Sequence, residues 1–169
     1  RNLEFASDLP SSLLKRLAQN NERNELILKI IKERVEAGCS VLVFACSVDH
    51  AKQLAVESTT FGARSAAIDY SMRESLREKV LSSFREGKTN VIFNFGVLST
   101  GFDAPNIDVV IIARPTTSIV LYSQMIGRGL RGAAVGGTES CELIDIRDNF
   151  DAFGDLDEVY AHFEEYWKK

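Results

Sequence analysis

Short apolar runs alternate with longer amphipathic stretches along most of the chain. Leucine and isoleucine recur at helical spacing through residues 11–37, and the Asn20-Asn21 pair interrupts the pattern, so we predict two helices there, ended by Gly38. Further helices are predicted over residues 49–57, 73–86, 118–131 and 155–167. Strands are predicted over residues 41–45, 64–69, 90–94, 108–113 and 141–146. This alternation predicts an α/β domain with a mostly parallel sheet and helices on both faces.

The size of the chain fits a single domain. With 169 residues and 45% hydrophobic content, one core of ordinary size is expected. Within it we distinguish an N-terminal helical leader (1–37), a core (38–146) and an acidic, aromatic tail (147–169). The tail carries six aromatic side chains, which either pack the terminal helix on the same domain or form a surface for a partner. We predict the first arrangement.

Three cysteines, Cys39, Cys46 and Cys141, are odd in number and widely spaced. They form neither a zinc ligand set nor a disulfide framework, so reduced thiols are expected. No run approaches the ~18 apolar residues that a membrane span requires, and no signal peptide opens the chain. These observations predict a cytoplasmic protein without a membrane partner.

Charge is distributed unevenly. Residues 139–169 hold ten acidic and three basic residues, whereas the preceding residues hold 14 acidic and 17 basic ones, and the whole chain carries −4. Between residues 109 and 138, Arg114, Arg128 and Arg131 occur without any acid. A locally positive edge on an acidic body favours a protein that grips phosphates at few points over one that coats nucleic acid.

The helix predicted over residues 118–131 carries a polar face. Arg128 follows Gln124 by four residues and Arg131 by seven, so the three side chains project the same way from successive turns. Gly127 and Gly129 lie beside them, although glycine inside a helix costs roughly 1 kcal/mol relative to alanine. Together these residues indicate an anion clamp approached closely by a ligand. A solvated arginine face with incidental glycines is the alternative.

A polar, glycine-containing turn joins the third and fourth predicted strands. Loops at the carboxyl ends of strands bind ligands in open α/β sheets. Gly96 and Gly101 permit backbone conformations closed to other residues, Ser99 and Thr100 offer hydroxyls, and Asp103 offers a carboxylate suited to a ribose hydroxyl. Alternatively, Asp103 begins an ordinary turn with the alanine and proline that follow it, and Thr100 only braces that turn.

Taken together, these segments resemble the second motor domain of superfamily 2 helicases and translocases, the DExD/H group. The resemblance covers residues 38–146 and rests on the order and spacing of four segments. Residues 124–131 match the Q-x-x-G-R-x-x-R motif six, and residues 94–103 look like the motif five ending in S/T-T-G-F-D. Residues 41–47 are similar to motif four, and Arg73 to Phe84 followed by Gly87 resembles the intervening R-x(5)-F-x-x-G pattern. It implies a RecA-like fold.

The resemblance also implies how ATP would be handled. It gives Arg131 the role of the arginine finger, sets Arg128 beside it on the γ-phosphate, and makes Gln124 the link between the motif and the nucleotide. Asp103, together with Gly101, matches the segment that contacts the ribose. ATP and Mg²⁺ are therefore the expected cofactors, with the metal held by a first motor domain.

The same resemblance implies a nucleic-acid track. Ser47, Ser99 and Thr100 lie where the family touches the nucleic-acid backbone. DEAD-box RNA helicases usually carry T-x-x-x-A-R-G-x-D in motif five and histidine at the start of motif six. This chain instead has L-S-T-G-F-D at residues 98–103 and Gln124 at the start of motif six. It is therefore more similar to the branch of type III restriction motors and bacterial DNA-repair helicases, and DNA is favoured over RNA.

The sequence shows no P-loop. Gly87-Lys88-Thr89 resembles its end, but Ser82 stands where the pattern needs a glycine, and the tripeptide follows a helix instead of a strand. No D-E-x-[DH] box is present either. The chain is thus expected to be part of a helicase, inactive alone and partnered by an N-terminal RecA-like domain. The alternatives are a non-enzymatic nucleotide- or phosphate-binding α/β domain, and the motor of a restriction or remodelling translocase.

Overall fold

The computed structural model describes residues 9–97, 107–115 and 141–146. Every predicted helix and strand within these ranges is present, with bounds that differ from the expected ones by one residue. The helices predicted over residues 118–131 and 155–167, and the aromatic tail, lie outside the described residues. The elements are α1 (Ser11–Ala18), α2 (Asn21–Glu36), β1 (Val41–Phe44), α3 (Val48–Ser58), a 3-10 turn (Thr59–Phe61), β2 (Ser65–Asp69), α4 (Glu74–Arg85), β3 (Val91–Phe95), β4 (Val109–Ile112) and β5 (Glu142–Asp145).

The five strands form one sheet in the order β2-β3-β1-β4-β5, and every neighbouring pair is parallel. Val41, at the start of the central strand β1, pairs with Val91 of β3 and Val109 of β4. Both neighbours of β1 therefore begin level with it, and β3 extends one residue farther, to Phe95. The parallel α/β class expected from the sequence is confirmed.

Helices cover both faces of the sheet. Ile27 and Ile31 of α2 and Leu54 of α3 are fully buried in the cluster on one face. Leu81 and Phe84 of α4 belong to the cluster on the other face. Because successive side chains of a strand point to opposite faces, the continuous apolar runs of the central strands supply both clusters.

Glycines end two of the helices. Gly38 follows α2 with φ +81, and Gly87 follows α4 with φ +74. At the second site Gly87 N–H donates to the Phe84 carbonyl at 3.1 Å and Lys88 N–H to the Ser83 carbonyl at 2.9 Å, which is the Schellman pattern. The Gly-Lys-Thr tripeptide therefore closes a helix before a strand, which is the reverse of a P-loop.

The break between the first two helices is also as expected. The Asn20 side chain accepts a hydrogen bond from Arg23 N–H at 3.0 Å and so caps the N-terminus of α2.

Cys39, Cys46 and Cys141 are all free thiols. Burial is the main cause that raises the pKa of the Cys39 and Cys141 thiols, which keeps them protonated near neutral pH.

Candidate functional site

The carboxyl ends of four strands lie side by side at one edge of the sheet. Phe44, the last residue of β1, pairs with Asn94 of β3 and with Ile112 of β4. Asp69, the last residue of β2, pairs with Phe95 of β3. The chain segments that leave these strands therefore start next to one another, at the edge where open parallel sheets bind ligands.

Ser47 lies at this edge, three residues beyond the end of β1. Its side chain caps α3 by accepting a hydrogen bond from His50 N–H at 3.0 Å, and its backbone is extended with φ −160. Capping uses a lone pair of the hydroxyl oxygen, whereas a phosphate contact would use the O–H donor. Ser47 is half-buried, so its hydroxyl oxygen can cap α3 while its O–H donates to a phosphate.

A buried chain of hydrogen bonds runs behind Ser47. Cys46 N–H donates to His50 Nδ1 at 3.1 Å, and His50 Nε2 lies 2.8 Å from Asn24 Oδ1. Asn24 Nδ2 in turn donates to the Ala18 carbonyl at 2.7 Å. Because Nδ1 accepts, the neutral tautomer with the proton on Nε2 satisfies every member. Burial, and then the positive charge of Arg23, lowers the pKa of His50 to about 4.

Arg23 joins α2 to the same edge. Its guanidinium donates to the Ala113 carbonyl just beyond β4 and lies 3.6 Å from Cys46 Sγ just beyond β1. The Cys46 thiol itself contacts the Ala113 carbonyl at 3.3 Å. With Arg23 only 7% exposed, this arrangement fixes the ends of β1 and β4 relative to each other.

Sequence reasoning missed this buried polar group, although one signal was present. Asn24 stands three residues before Ile27 and seven before Ile31, so it shares the face of α2 that packs on the sheet. A polar side chain on such a face needs a buried partner. His50 provides it from α3, and only the packing of α3 beside α2 brings the two together.

The side chain of Asn94, near the end of β3, holds the turn that follows this strand. Asn94 is 1% exposed, and its amide accepts from Val97 N–H and donates to the Val97 carbonyl, both at 3.3 Å. Gly96 lies inside this bracket with φ +75, which confirms its expected left-handed backbone. These two hydrogen bonds fix the position of Val97, after which the following segment begins. That segment carries Ser99, Thr100, Gly101 and Asp103, which lie outside the described residues.

Arg114 follows β4 at the same edge. It is 6% exposed, and its guanidinium carbon lies 5.5 Å from the centroid of the Phe95 ring. This cation–π contact braces the edge, so Arg114 is a buried part of the expected positive region rather than an exposed one. The structure brings together Ser47, the Gly96 turn and Arg114. Gln124, Arg128 and Arg131 lie beyond the described part of the chain.

Two further properties concern only the residues that the structure describes. They include no group of three or more histidine, cysteine or acidic side chains arranged to hold a metal ion. None of the described helices is both long and apolar enough to cross a membrane.

Comparison with known proteins agrees with the fold. IRC3 of Saccharomyces cerevisiae, assigned as an ATP-dependent helicase, is 32% identical over 142 residues, which is 83% of this chain and 20% of that protein. The mitochondrial irc3 helicase of Schizosaccharomyces pombe is 35% identical over 146 residues, 86% of this chain and 24% of its own length. A DEAD-box protein of Methanococcus jannaschii superposes with a TM-score of 0.68 at 25% identity, covering 85% of this chain and 37% of that one.

These matches leave two expectations open. Some matched relatives are named as RNA helicases, so the preference for DNA stays a prediction. The mitochondrial name of one relative leaves the cytoplasmic location a prediction as well.

The family match covers most of the chain. Residues 22–133 match the helicase conserved C-terminal domain, and the chain spans about a fifth to a quarter of the two yeast relatives. The match contains β1 with Ser47, the bracketed turn after β3, β4 and the segment with Gln124, Arg128 and Arg131. The chain therefore belongs to the helicase conserved C-terminal domain family of superfamily 2 helicases.

Proposed function

We propose that this chain is the second motor domain of an ATP-dependent nucleic-acid helicase or translocase. In this proposal it supplies the arginine finger and part of the nucleic-acid track, and it works with an N-terminal RecA-like domain that carries the P-loop and holds Mg²⁺. The observation that carries the proposal is the common edge at which β1, β3 and β4 end. Three segments with candidate roles start there: the Ser47 turn, the segment after Val97 and the segment after Pro115.

The arginines account for the chemistry of this domain. When ATP and its magnesium are bound between the two domains, the γ-phosphoryl group accumulates negative charge on its oxygens during transfer. The guanidinium groups of Arg131 and Arg128 present planar pairs of donors that match those oxygens. Gln124 connects the same helix face to the nucleotide, and Asp103 with Gly101 contacts the ribose. Because the arginines reach the phosphate only when the domains close, hydrolysis is coupled to domain movement.

The hydroxyls account for the grip on the strand. Ser47, Ser99 and Thr100 donate to phosphate oxygens of the nucleic-acid backbone, which positions the strand without reading its sequence. The buried network behind Ser47 supports this role, since it holds the end of β1 against α2 and β4. DNA is the proposed substrate.

We expect the 169-residue chain alone to show neither magnesium-dependent ATP hydrolysis nor duplex unwinding. The P-loop lysine and the metal-binding acid that hydrolysis requires come from the first domain. Phosphate release by the pure chain, with and without single-stranded DNA or RNA, tests this against the complete motor protein as the positive control. Robust hydrolysis that survives repeated purification would contradict the proposal. Tight ATP binding by the chain alone would instead favour a nucleotide-binding domain.

We expect Ser47→Asp in the complete protein to abolish most nucleic-acid stimulation of the ATPase while leaving thermal stability intact. Aspartate caps a helix as well as serine does, so α3 keeps its N-cap, but the carboxylate has no donor and repels phosphate. The measurement is ATPase activity against strand concentration for several unrelated sequences, beside a melting curve.

Ser47→Ala is the matched comparison for that variant. Removing the cap costs about 0.5–2 kcal/mol of stability, so this variant should melt earlier as well as lose stimulation. Normal stimulation in Ser47→Asp would show that Ser47 serves only as a helix cap.

A further inference from the structure

Tyr70 is an exposed aromatic side chain at the edge that carries the proposed strand track. It is 67% exposed and directly follows β2, whereas Phe44, Phe84 and Phe93 are at most 2% exposed. A ring of this size that stays in water lacks the stabilisation that burial gives the three phenylalanines. An exposed ring beside a proposed binding surface is therefore a candidate contact.

Hydrogen bonds hold the turn that carries Tyr70. Asp69 is 4% exposed, and its carboxylate accepts hydrogen bonds from the Ser71 hydroxyl and from Ser71 N–H, the latter at 2.8 Å. Met72 N–H also donates to the Asp69 carbonyl at 3.2 Å. Burial raises the pKa of the Asp69 carboxyl, but the two hydrogen bonds from Ser71, together with the charge of Lys52 and Met72 N–H, outweigh it and hold the pKa below its ordinary value. The carboxylate thus stays charged and keeps the turn in place.

Gly96 supports the ring from the neighbouring strand. Asp69 pairs with Phe95, so Tyr70 and Gly96 are the next residues along the two strands. A Cβ atom built on Gly96 would lie 3.0 Å from Tyr70 Cδ1 and 3.8 Å from its Cγ. The ring therefore leans against bare backbone that a side chain would obstruct, while most of its surface faces solvent.

The sheet sets the spacing of the two strands that Tyr70 and Ser47 follow. The ring stands at the end of β2, and the serine follows β1, with β3 between them. Neighbouring strands are ≈ 4.8 Å apart, so the two strand ends are separated by about 10 Å. A single strand held at its phosphates by Ser47 can thus bring one of its bases to the ring.

We propose that Tyr70 is a stacking platform for one base of the bound single strand, an inference that rests on the proposed function above. Every base has a π-face, so stacking on a fixed tyrosine adds affinity without selecting a sequence. Such a contact complements backbone contacts, which also carry no sequence information. It gives the track a place to hold a base between steps of domain movement.

The test compares Tyr70→Ala, Tyr70→Phe and wild type in the complete motor protein. Single-strand affinity is measured by fluorescence anisotropy with a non-hydrolysable ATP analogue, on DNA and RNA oligonucleotides. We expect the alanine variant to bind roughly 5-fold to 100-fold more weakly, because one base–aromatic stack is lost. The phenylalanine variant should bind close to wild type, since the ring is retained. Val56→Ala is the control, because Val56 is 69% exposed on α3 and should have no effect.

Oligonucleotides with one abasic position separate stacking from a structural effect. For wild type, one abasic position should weaken binding by the factor seen with Tyr70→Ala, and the alanine variant should be insensitive to it. Normal affinity of Tyr70→Ala, or equal abasic sensitivity in both proteins, would overturn the platform and leave the proposed function standing. If wild-type protein binds no single strand under any nucleotide condition, the proposed function fails as well.

Discussion

Replacing Arg131 by alanine in the complete motor protein should lower kcat for ATP hydrolysis by at least ~10³. Nucleotide affinity should change much less, because an arginine finger stabilises the charge of the transition state more than that of bound ATP. Steady-state kinetics at saturating nucleic acid, together with nucleotide-binding titrations, separate the two quantities. A large fall in kcat with a nearly unchanged dissociation constant is the expected result.

Two variants sharpen this experiment. Arg131→Lys should restore little activity, because a single ammonium cannot replace the planar fork of donors. Arg85→Ala is the matched control, since Arg85 pairs with Glu78 at 3.1 Å on the surface of α4. It removes the same side chain away from the proposed site and should leave kcat unchanged. Near-normal turnover of Arg131→Ala would show that Arg131 is a surface residue.

Lowering the pH from about 6.5 to about 4 should destabilise the domain by about 3 kcal/mol through His50 alone. The folded protein holds this imidazole neutral, with its pKa lowered from 6.5 to about 4 by burial and by Arg23. The unfolded chain therefore takes up the proton first as the pH falls. His50 therefore leaves the free energy of unfolding undiminished above about pH 6.5 and lowers it progressively as the pH falls to about 4.

Urea unfolding of the chain at several pH values measures this effect. Acidic side chains also titrate in part of the range, and His50→Gln also changes the hydrogen bonds to Cys46 and Asn24. The informative quantity is therefore the difference between wild type and His50→Gln in how the free energy of unfolding varies with pH, not their difference at one pH. His162→Gln is the control, because it removes the other of the two histidines of the chain. Equal pH dependence in wild type and His50→Gln would show that His50 is not held neutral.

Local pattern was sufficient to predict the elements in the described part of the chain. The apolar runs that became β1, β3 and β4 are too short for helices, and Gly38 and Gly87 permit the left-handed conformation that ends a helix. The same reasoning excluded a P-loop at Gly87. Such features depend on residues a few positions apart, so the sequence alone carries them.

The motifs extended the prediction to the family. Their order indicated a helicase C-terminal domain, and the family match confirms it. The roles of Ser47, Ser99, Thr100, Gly101, Asp103, Gln124, Arg128 and Arg131 stay predictions. Ser47 is the member of this set whose surroundings the structure describes, and its second role as the cap of α3 could be seen only there.

The sequence by itself determined the helices, the strands, the glycine stops and the motifs of this domain, because each is specified by neighbouring residues. Only the tertiary structure decided the strand order, the contact of Tyr70 with Gly96 and the buried group formed by Arg23, Asn24, His50 and Cys46. The contacts that carry these arrangements join residues far apart in the chain: Arg23 and Cys46 are 23 positions apart, and Asn24 and His50 are 26 apart, as are Tyr70 and Gly96. Periodicity shows that Asn24 is polar on an apolar face, but its partner depends on how α2 and α3 pack against the sheet, which is a property of the whole core.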